Sequence, residues 1–284
     1  MIRRSLLALA AAAVLAAPSD ALAGDERIVA LGGAVTEIVY ALGAQAQLVA
    51  VDTTSLQPPE ALKEKPNVGY VRALSAEGIL STRPTLVVAI DGAGPADALK
   101  LVEGAGVRLA RVPDEPTPEG VARKIEQVGA LVGREAEAGR LAAGVRARFA
   151  ALDAERARLG RPVRALFVLA VQNGRVMVGG RNTTADSMLR LAGAENAGAG
   201  IDGFKLMTDE ALIASAPDVV VMMQGGGAGH AGADAVLALP GLAGSPAAAG
   251  KRLVTFDGLY LLGFGPRAPE AADALMRAFY PGRG

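Results

Sequence analysis

No cysteine and no tryptophan occur in the 284 residues, and histidine occurs once, at His230. The missing cysteines remove disulfides, thiol catalysis and cysteine-ligated iron–sulfur clusters. Zinc sites built from His and Cys need three or four such ligands, so they are excluded as well. A Ser-His-Asp hydrolase would have to use His230 itself, and no Gly-x-Ser-x-Gly elbow is present. An excess of one charge is also lacking, since 29 Lys and Arg balance 29 Asp and Glu. No clustered basic face that would grip nucleic acid is therefore expected. Beyond residue 23 no uninterrupted apolar run reaches about 18 residues, so no later membrane span is predicted.

The first 23 residues read as a secretory signal peptide. Arg3 and Arg4 form a positive start, Leu6 to Ala17 is apolar, and Ala21-Leu22-Ala23 fits the small-x-small cleavage pattern. Cleavage after Ala23 leaves 261 residues, with 27 basic and 28 acidic side chains. An exported chain without disulfides must be held by packed core, which a composition of 51% hydrophobic residues supplies. The length suits two domains of about 100–130 residues each.

Short β-branched runs alternate with helical patterns. Strands are predicted at 27–31, 48–51, 86–90 and 108–112, with helices at 35–42, 76–81, 95–103 and 118–132. The second half repeats the style, with strands at 163–169, 176–178, 218–223 and 253–256 and helices at 184–191, 209–215 and 269–279. Alternation of this kind implies β-α-β units and mostly parallel sheets. Between the halves, residues 134–159 are rich in Ala, Glu and Arg and free of internal Pro. A helix of that length measures about 38 Å and is long enough to bridge two lobes. The expected α/β architecture is two Rossmann-like lobes, 24–133 and 160–284, joined by this one long helix.

An internal repeat supports two related lobes. Ser75-Ala-Glu77 and Thr208-Asp-Glu210 each place a capping hydroxyl two residues before a glutamate, and each glutamate is followed seven residues later by Pro84 or Pro217 at the start of a strand. The two glutamates stand 133 residues apart. A looser echo pairs Gly32-Gly33 with Gly179-Gly180.

Pro66-Asn-Val-Gly-Tyr70-Val-Arg72 lies between a short helix and the capped helix at Ser75, and its Pro, Asn and Gly place Tyr70 on a loop. Loops beyond strand ends are where open α/β sheets collect ligands. Tyr40 falls at helical spacing and reads as core. A phenolate is a hard anionic oxygen ligand suited to ferric iron, and tyrosine is among the axial ligands of haem. A phenol ordinarily titrates near 10, and a metal cation or a nearby guanidinium favours its ionised form. Arg72, two residues on, shares the face of Tyr70 if the segment is extended. Read alone, the same Tyr-x-Arg also suits a packed ring beside a surface cation.

The chain resembles the haem-binding periplasmic components of bacterial hemin ABC importers, within the helical-backbone group of substrate-binding proteins. The matching text is Leu31-Gly-Gly-Ala-Val-Thr-Glu-Ile-Val-Tyr-Ala-Leu-Gly43, Val51-Asp-Thr-Thr54, Val68-Gly-Tyr-Val-Arg-Ala-Leu-Ser-Ala-Glu-Gly78, Thr184-Ala-Asp186 with Arg190-Leu-Ala-Gly193, and Leu261-Leu-Gly-Phe-Gly-Pro-Arg267. It extends over residues 27–280. The resemblance implies that Tyr70 is the axial ligand of ferric haem, that Arg72 supports its phenolate, and that Glu77 and Glu210 dock on arginines of a membrane permease. It also implies a periplasmic carrier; a monomer is expected. Helix-favoured acids in a first turn account for the position of the two glutamates without docking, though not for their duplication.

Two departures bear on stoichiometry. Val171 stands where some relatives carry a second haem-ligating histidine, and Gln224 where some carry an arginine, so one haem with five-coordinate or weakly six-coordinate iron is expected. His230, in the glycine-rich run 225–232, is either a distal ligand or a solvated loop residue. Arg181 and Arg267 are candidates for haem propionates, since Arg binds carboxylates bidentately. Phe264, Leu261 and Leu262 are candidates for the porphyrin face, with core packing as the other reading. A cobalamin or ferric-siderophore carrier on the same scaffold is the alternative. An exported enzyme, with Asp52 and Asp91 converging for acid–base work, is the reading from another class.

Overall fold

Four short strands, three of them wholly apolar, build the first sheet of the computed structural model, which describes residues 26–224 and 232–282. β1 (Ile28–Leu31), β2 (Leu48–Val51), β3 (Leu86–Ile90) and β4 (Arg108–Val112) lie in the order β2-β1-β3-β4, all parallel. Parallel neighbours need crossovers. The chain supplies α1 (Gly33–Ala41) after β1, α2 (Ala61–Glu64) and α3 (Ala76–Leu80) after β2, and α4 (Ala96–Gly104) after β3. β1 and β3 are central and covered on both faces, which is why they read as unbroken apolar runs rather than alternating ones.

α5 (Pro118–Leu131) begins with proline behind the Thr117 cap, whose hydroxyl accepts from Gly120 N–H at 3.0 Å. α6 (Glu135–Arg156) is the long helix, three residues shorter at its C-terminal end than the sequence reading, and at 1.5 Å per residue about 33 Å long. Its buried stripe of Ala138, Ala142, Val145, Phe149 and Leu152 follows helical spacing. A Cβ on Gly129 of α5 would lie 2.2 Å from that of Ala138, so the two helices cross at a point only glycine permits.

The second sheet begins with β5 (Arg164–Gln172). Asn173 and Gly174, both at positive φ, turn the chain into antiparallel β6 (Arg175–Gly179), as two-residue hairpins require. α7 (Thr184–Leu191) follows, then β7 (Glu195–Asn196), β8 (Phe204–Met207), α8 (Asp209–Ser215), β9 (Val219–Met223), α9 (Ala233–Leu237), α10 (Pro246–Ala249), β10 (Leu253–Phe256), α11 (Gly258–Leu262) and α12 (Ala268–Phe279). The sheet runs β10-β9-β5-β6-β8, with β7 on β5. β10, β9 and β5 are parallel, while β6 forms antiparallel pairs with β5 and β8. The sheets are thus parallel apart from this arm.

The sequence repeat is a structural one. Ser75 Oγ accepts from Gly78 N–H at 3.2 Å and Thr208 Oγ1 from Ala211 N–H at 3.3 Å, each capping a helix that leads through a proline into a central strand. The glycine echo has a shared cause too. A Cβ on Gly33 would lie 2.2 Å from Thr54 O, and one on Gly180 would lie 2.3 Å from Ile201 O. One apolar cluster runs from Ile28 and Val88 of the first sheet through Val145 and Phe149 of α6 to Phe167 and Val221 of the second. Among the described residues no helix is long and apolar enough to cross a membrane.

Candidate functional site

The Tyr70 loop is an outgrowth of β2. Past Val51 the chain turns at residues 52–56, passes α2, and returns alongside its own strand. Val51 N–H donates to Pro66 O, Val68 N–H to Val51 O and Thr53 N–H to Gly69 O, each at 2.9 Å. Asn67 Oδ1 accepts from Gly69 N–H at 2.8 Å, and Gly69 takes φ +102°, where a side chain would be strained. Beyond Tyr70 the chain is tied to the loop after β3. Gly94 N–H donates to Val71 O at 2.8 Å and Leu74 N–H to Gly94 O at 2.9 Å. Val68, Val71 and Leu74 are buried anchors, yet the Tyr70 ring between them is 49% exposed. A large ring left in water between two buried valines is an observation that calls for a partner.

A cavity of about 130 Å³ lies beside this loop, where the carboxyl ends of both sheets face each other. Arg72, Asp91 and Asp114 line it from the first lobe, and Leu259 and Gly263 from the second. Gly32 and Gly33 form its floor at the start of α1. Among the described residues neither the Tyr70 phenol nor the Arg72 guanidinium has a hydrogen-bond or ion-pair partner, and no group of three or more potential metal-binding side chains occurs.

The remaining candidates are placed otherwise. Arg267 forms a bidentate pair with Glu37 of α1, at 2.9 and 3.0 Å, and stacks 5.1 Å over the Tyr260 ring. Burial opposes its charge, but Glu37 outweighs this and holds the guanidinium above its ordinary range. It therefore ties the lobes together rather than facing the cleft. Phe264 is a correction: it is fully buried in the shared core at φ +46° and offers no face to a ligand. Leu261 is buried with it and Leu262 partly so. Arg181 is a second correction. Because β6 runs antiparallel to β5, its end lies towards the amino edge of the sheet, where Asn196 pairs with Ala165 near the start of β5 and its side chain donates to Gly179 O. The cleft is at the opposite edge. His230 lies outside the described residues.

Glu77 and Glu210 both stand exposed in the first turns of α3 and α8. A hydrogen bond from its own backbone N–H, joined by the Thr208 hydroxyl, holds the Glu210 carboxyl below its ordinary range. Asp52, a candidate base in the enzyme reading, is fully buried. Oδ1 accepts from Gly32 N–H at 2.8 Å and Ser55 Oγ at 3.1 Å, and Oδ2 from Thr54 N–H at 2.9 Å and Thr54 Oγ1 at 2.6 Å. No lone pair is left for acid–base work. Sequence reasoning also missed Lys124 of α5, wholly buried, whose Nζ reaches Asp114 at 2.5 Å and, across the lobes, Phe264 O at 3.3 Å. Its only signal is a lysine at an apolar position of the α5 pattern.

Two α/β lobes facing each other over a cleft are the architecture of a substrate-binding protein. The chain belongs to the periplasmic binding protein family, whose sequence profile matches residues 28–259. Among solved structures, the periplasmic heme-binding protein RhuT from Roseiflexus sp. RS-1 is 43% identical, with a TM-score of 0.86, over 90% of this chain and 98% of that one. The periplasmic heme-binding protein BhuT, solved in complex with two hemes, is 42% identical with a TM-score of 0.85, over 89% of this chain and 97% of that one. The ABC transporter substrate-binding lipoprotein YvrC from Bacillus subtilis is 28% identical over 90% of this chain and 80% of its own length. The vitamin B12-binding protein of Vibrio vulnificus strain CMCP6 is 33% identical, but only over 37% of this chain and 36% of its own.

Proposed function

We propose that this protein carries ferric haem in the periplasm and hands it to an ABC importer, with Tyr70 as the axial ligand. The single observation that carries this reading is the exposed phenol held between buried anchors directly before the cavity-lining Val71 and Arg72, with phenol and guanidinium both unpartnered among the described residues. Full-length likeness to heme-binding proteins supports haem over cobalamin, for which the likeness spans less than half of the chain.

Arg72 is assigned the task of stabilising the phenolate. A hydrogen bond from a cation to the ionised form favours it. The 130 Å³ cavity is smaller than the roughly 300–1,000 Å³ of usual ligand sites. Haem is therefore taken at the mouth, where Tyr70 stands, and the cleft widens around it. One haem per chain is the expected stoichiometry, since Val171 at the cleft end of β5 cannot ligate iron. The exported, monomeric carrier has no catalytic role, and Glu77 and Glu210 dock on permease arginines as two equivalent points, one per lobe.

Hemin titration of the purified mature chain tests this. The expected result is a shifted Soret band with tyrosinate charge-transfer features at one equivalent, lost in Tyr70→Ala. An unaltered hemin spectrum, or binding of cyanocobalamin in its place, overturns the cargo assignment.

A further inference from the structure

We infer that Asp52 is a positioning residue for the ligand loop, acting on Tyr70 through the turn at 52–55. This rests on the haem reading of Tyr70. The carboxylate is wholly buried and accepts four hydrogen bonds, and among the described residues no cation partners it. Such a group is costly to bury unless every bond is made. Its donors belong to two segments. Gly32 N–H fixes the entry to α1, and Thr54 and Ser55 fix the turn beyond β2. Thr54 Oγ1 in turn accepts from Gly33 N–H at 2.9 Å, so the turn and the cavity floor are one hydrogen-bonded unit.

That unit reaches the phenol through one residue. Thr53, held between Asp52 and Thr54, donates its N–H to Gly69 O. Gly69 directly precedes Tyr70, and its positive φ sets the direction in which the next residue leaves. The charge on Asp52 thereby fixes the backbone that aims the ring, without touching the ligand. An asparagine at 52 keeps the shape, but its NH2 cannot accept, so either the Gly32 or the Thr54 amide loses its partner.

The test is hemin binding by the mature chain and by Asp52→Asn and Thr54→Val, with folding followed by circular dichroism. Affinity is expected to fall about tenfold in Asp52→Asn, equivalent to about 1.4 kcal/mol, with a smaller fall in Thr54→Val. Tyrosinate charge-transfer intensity should weaken in the same order, and amide hydrogen exchange across residues 66–73 should rise even without hemin. Mere destabilisation would lower the melting temperature and leave the ligation spectrum as it was. Should Asp52→Asn fail to fold, Thr54→Val decides. Folded variants with wild-type spectra and exchange overturn the inference alone, whereas a wild type without a tyrosinate spectrum overturns the haem reading with it.

Discussion

On the proposed haem reading, cargo choice turns on Tyr70 and Arg72, and they differ in what their removal should do. Tyr70→Phe keeps the ring but deletes the oxygen, so hemin binding should persist weakly without charge-transfer bands. Arg72→Ala leaves the ligand and removes its outer partner. Losses of such partners commonly cost about 10–100-fold in metal affinity, and equilibrium titration should find a fall of that size with the tyrosinate spectrum retained. The loop that bears both residues was legible, because Pro66, Asn67 and Gly69 can scarcely sit in a regular element. The fates of Phe264, Arg267 and Arg181 were not. Their local sequence is loop-like, but Glu37 claims Arg267 from 230 residues away, and burial removes Phe264 from the cleft. Arg181 depended on the direction of β6, which a short alternating run cannot reveal.

Among the elements, short β-branched strands and hydroxyl-capped helices declared themselves. β2, β3, β4 and β10 occupy the spans their sequences suggest, as do α7 and α8 with their hydroxyl caps. β8 did not, being an edge strand with Phe204 and Lys205 exposed and little period to read. β7 and α9 to α11 are too short for any period to show. Two predictions belong to this scale. Gly129→Val should destabilise the fold by about 1–3 kcal/mol in chemical denaturation, because its side chain meets Ala138 at the α5–α6 crossing. Thr208→Ala should raise the Glu210 carboxyl towards its ordinary range, measurable by NMR titration. The folded value lies below the unfolded one, so the cap's stabilising share is held at neutral pH and lost as pH falls through the lowered folded value.

For the whole molecule, the ties between the lobes matter most. Glu37–Arg267 and Lys124–Phe264 O both cross from α1 and α5 to the segment before α12. Breaking a buried pair by removing one partner costs about 3–5 kcal/mol. Arg267 keeps 29% of its side chain exposed, so Glu37→Ala should lie near the lower end, at about 3 kcal/mol. Small-angle scattering should also show a wider separation of lobes in that variant.

The apolar cluster that passes without interruption from one sheet through α6 to the other has a thermal consequence. Each half keeps a smaller apolar cluster of its own, around Val29 and Leu99 in the first and around Leu166 and Leu242 in the second, but the largest cluster is shared, so melting one half strips the other of part of its interior. Calorimetry should record a single endotherm whose van't Hoff and measured enthalpies agree, and a chain cut at Gly133 should yield fragments that melt well below the intact chain and regain stability when mixed.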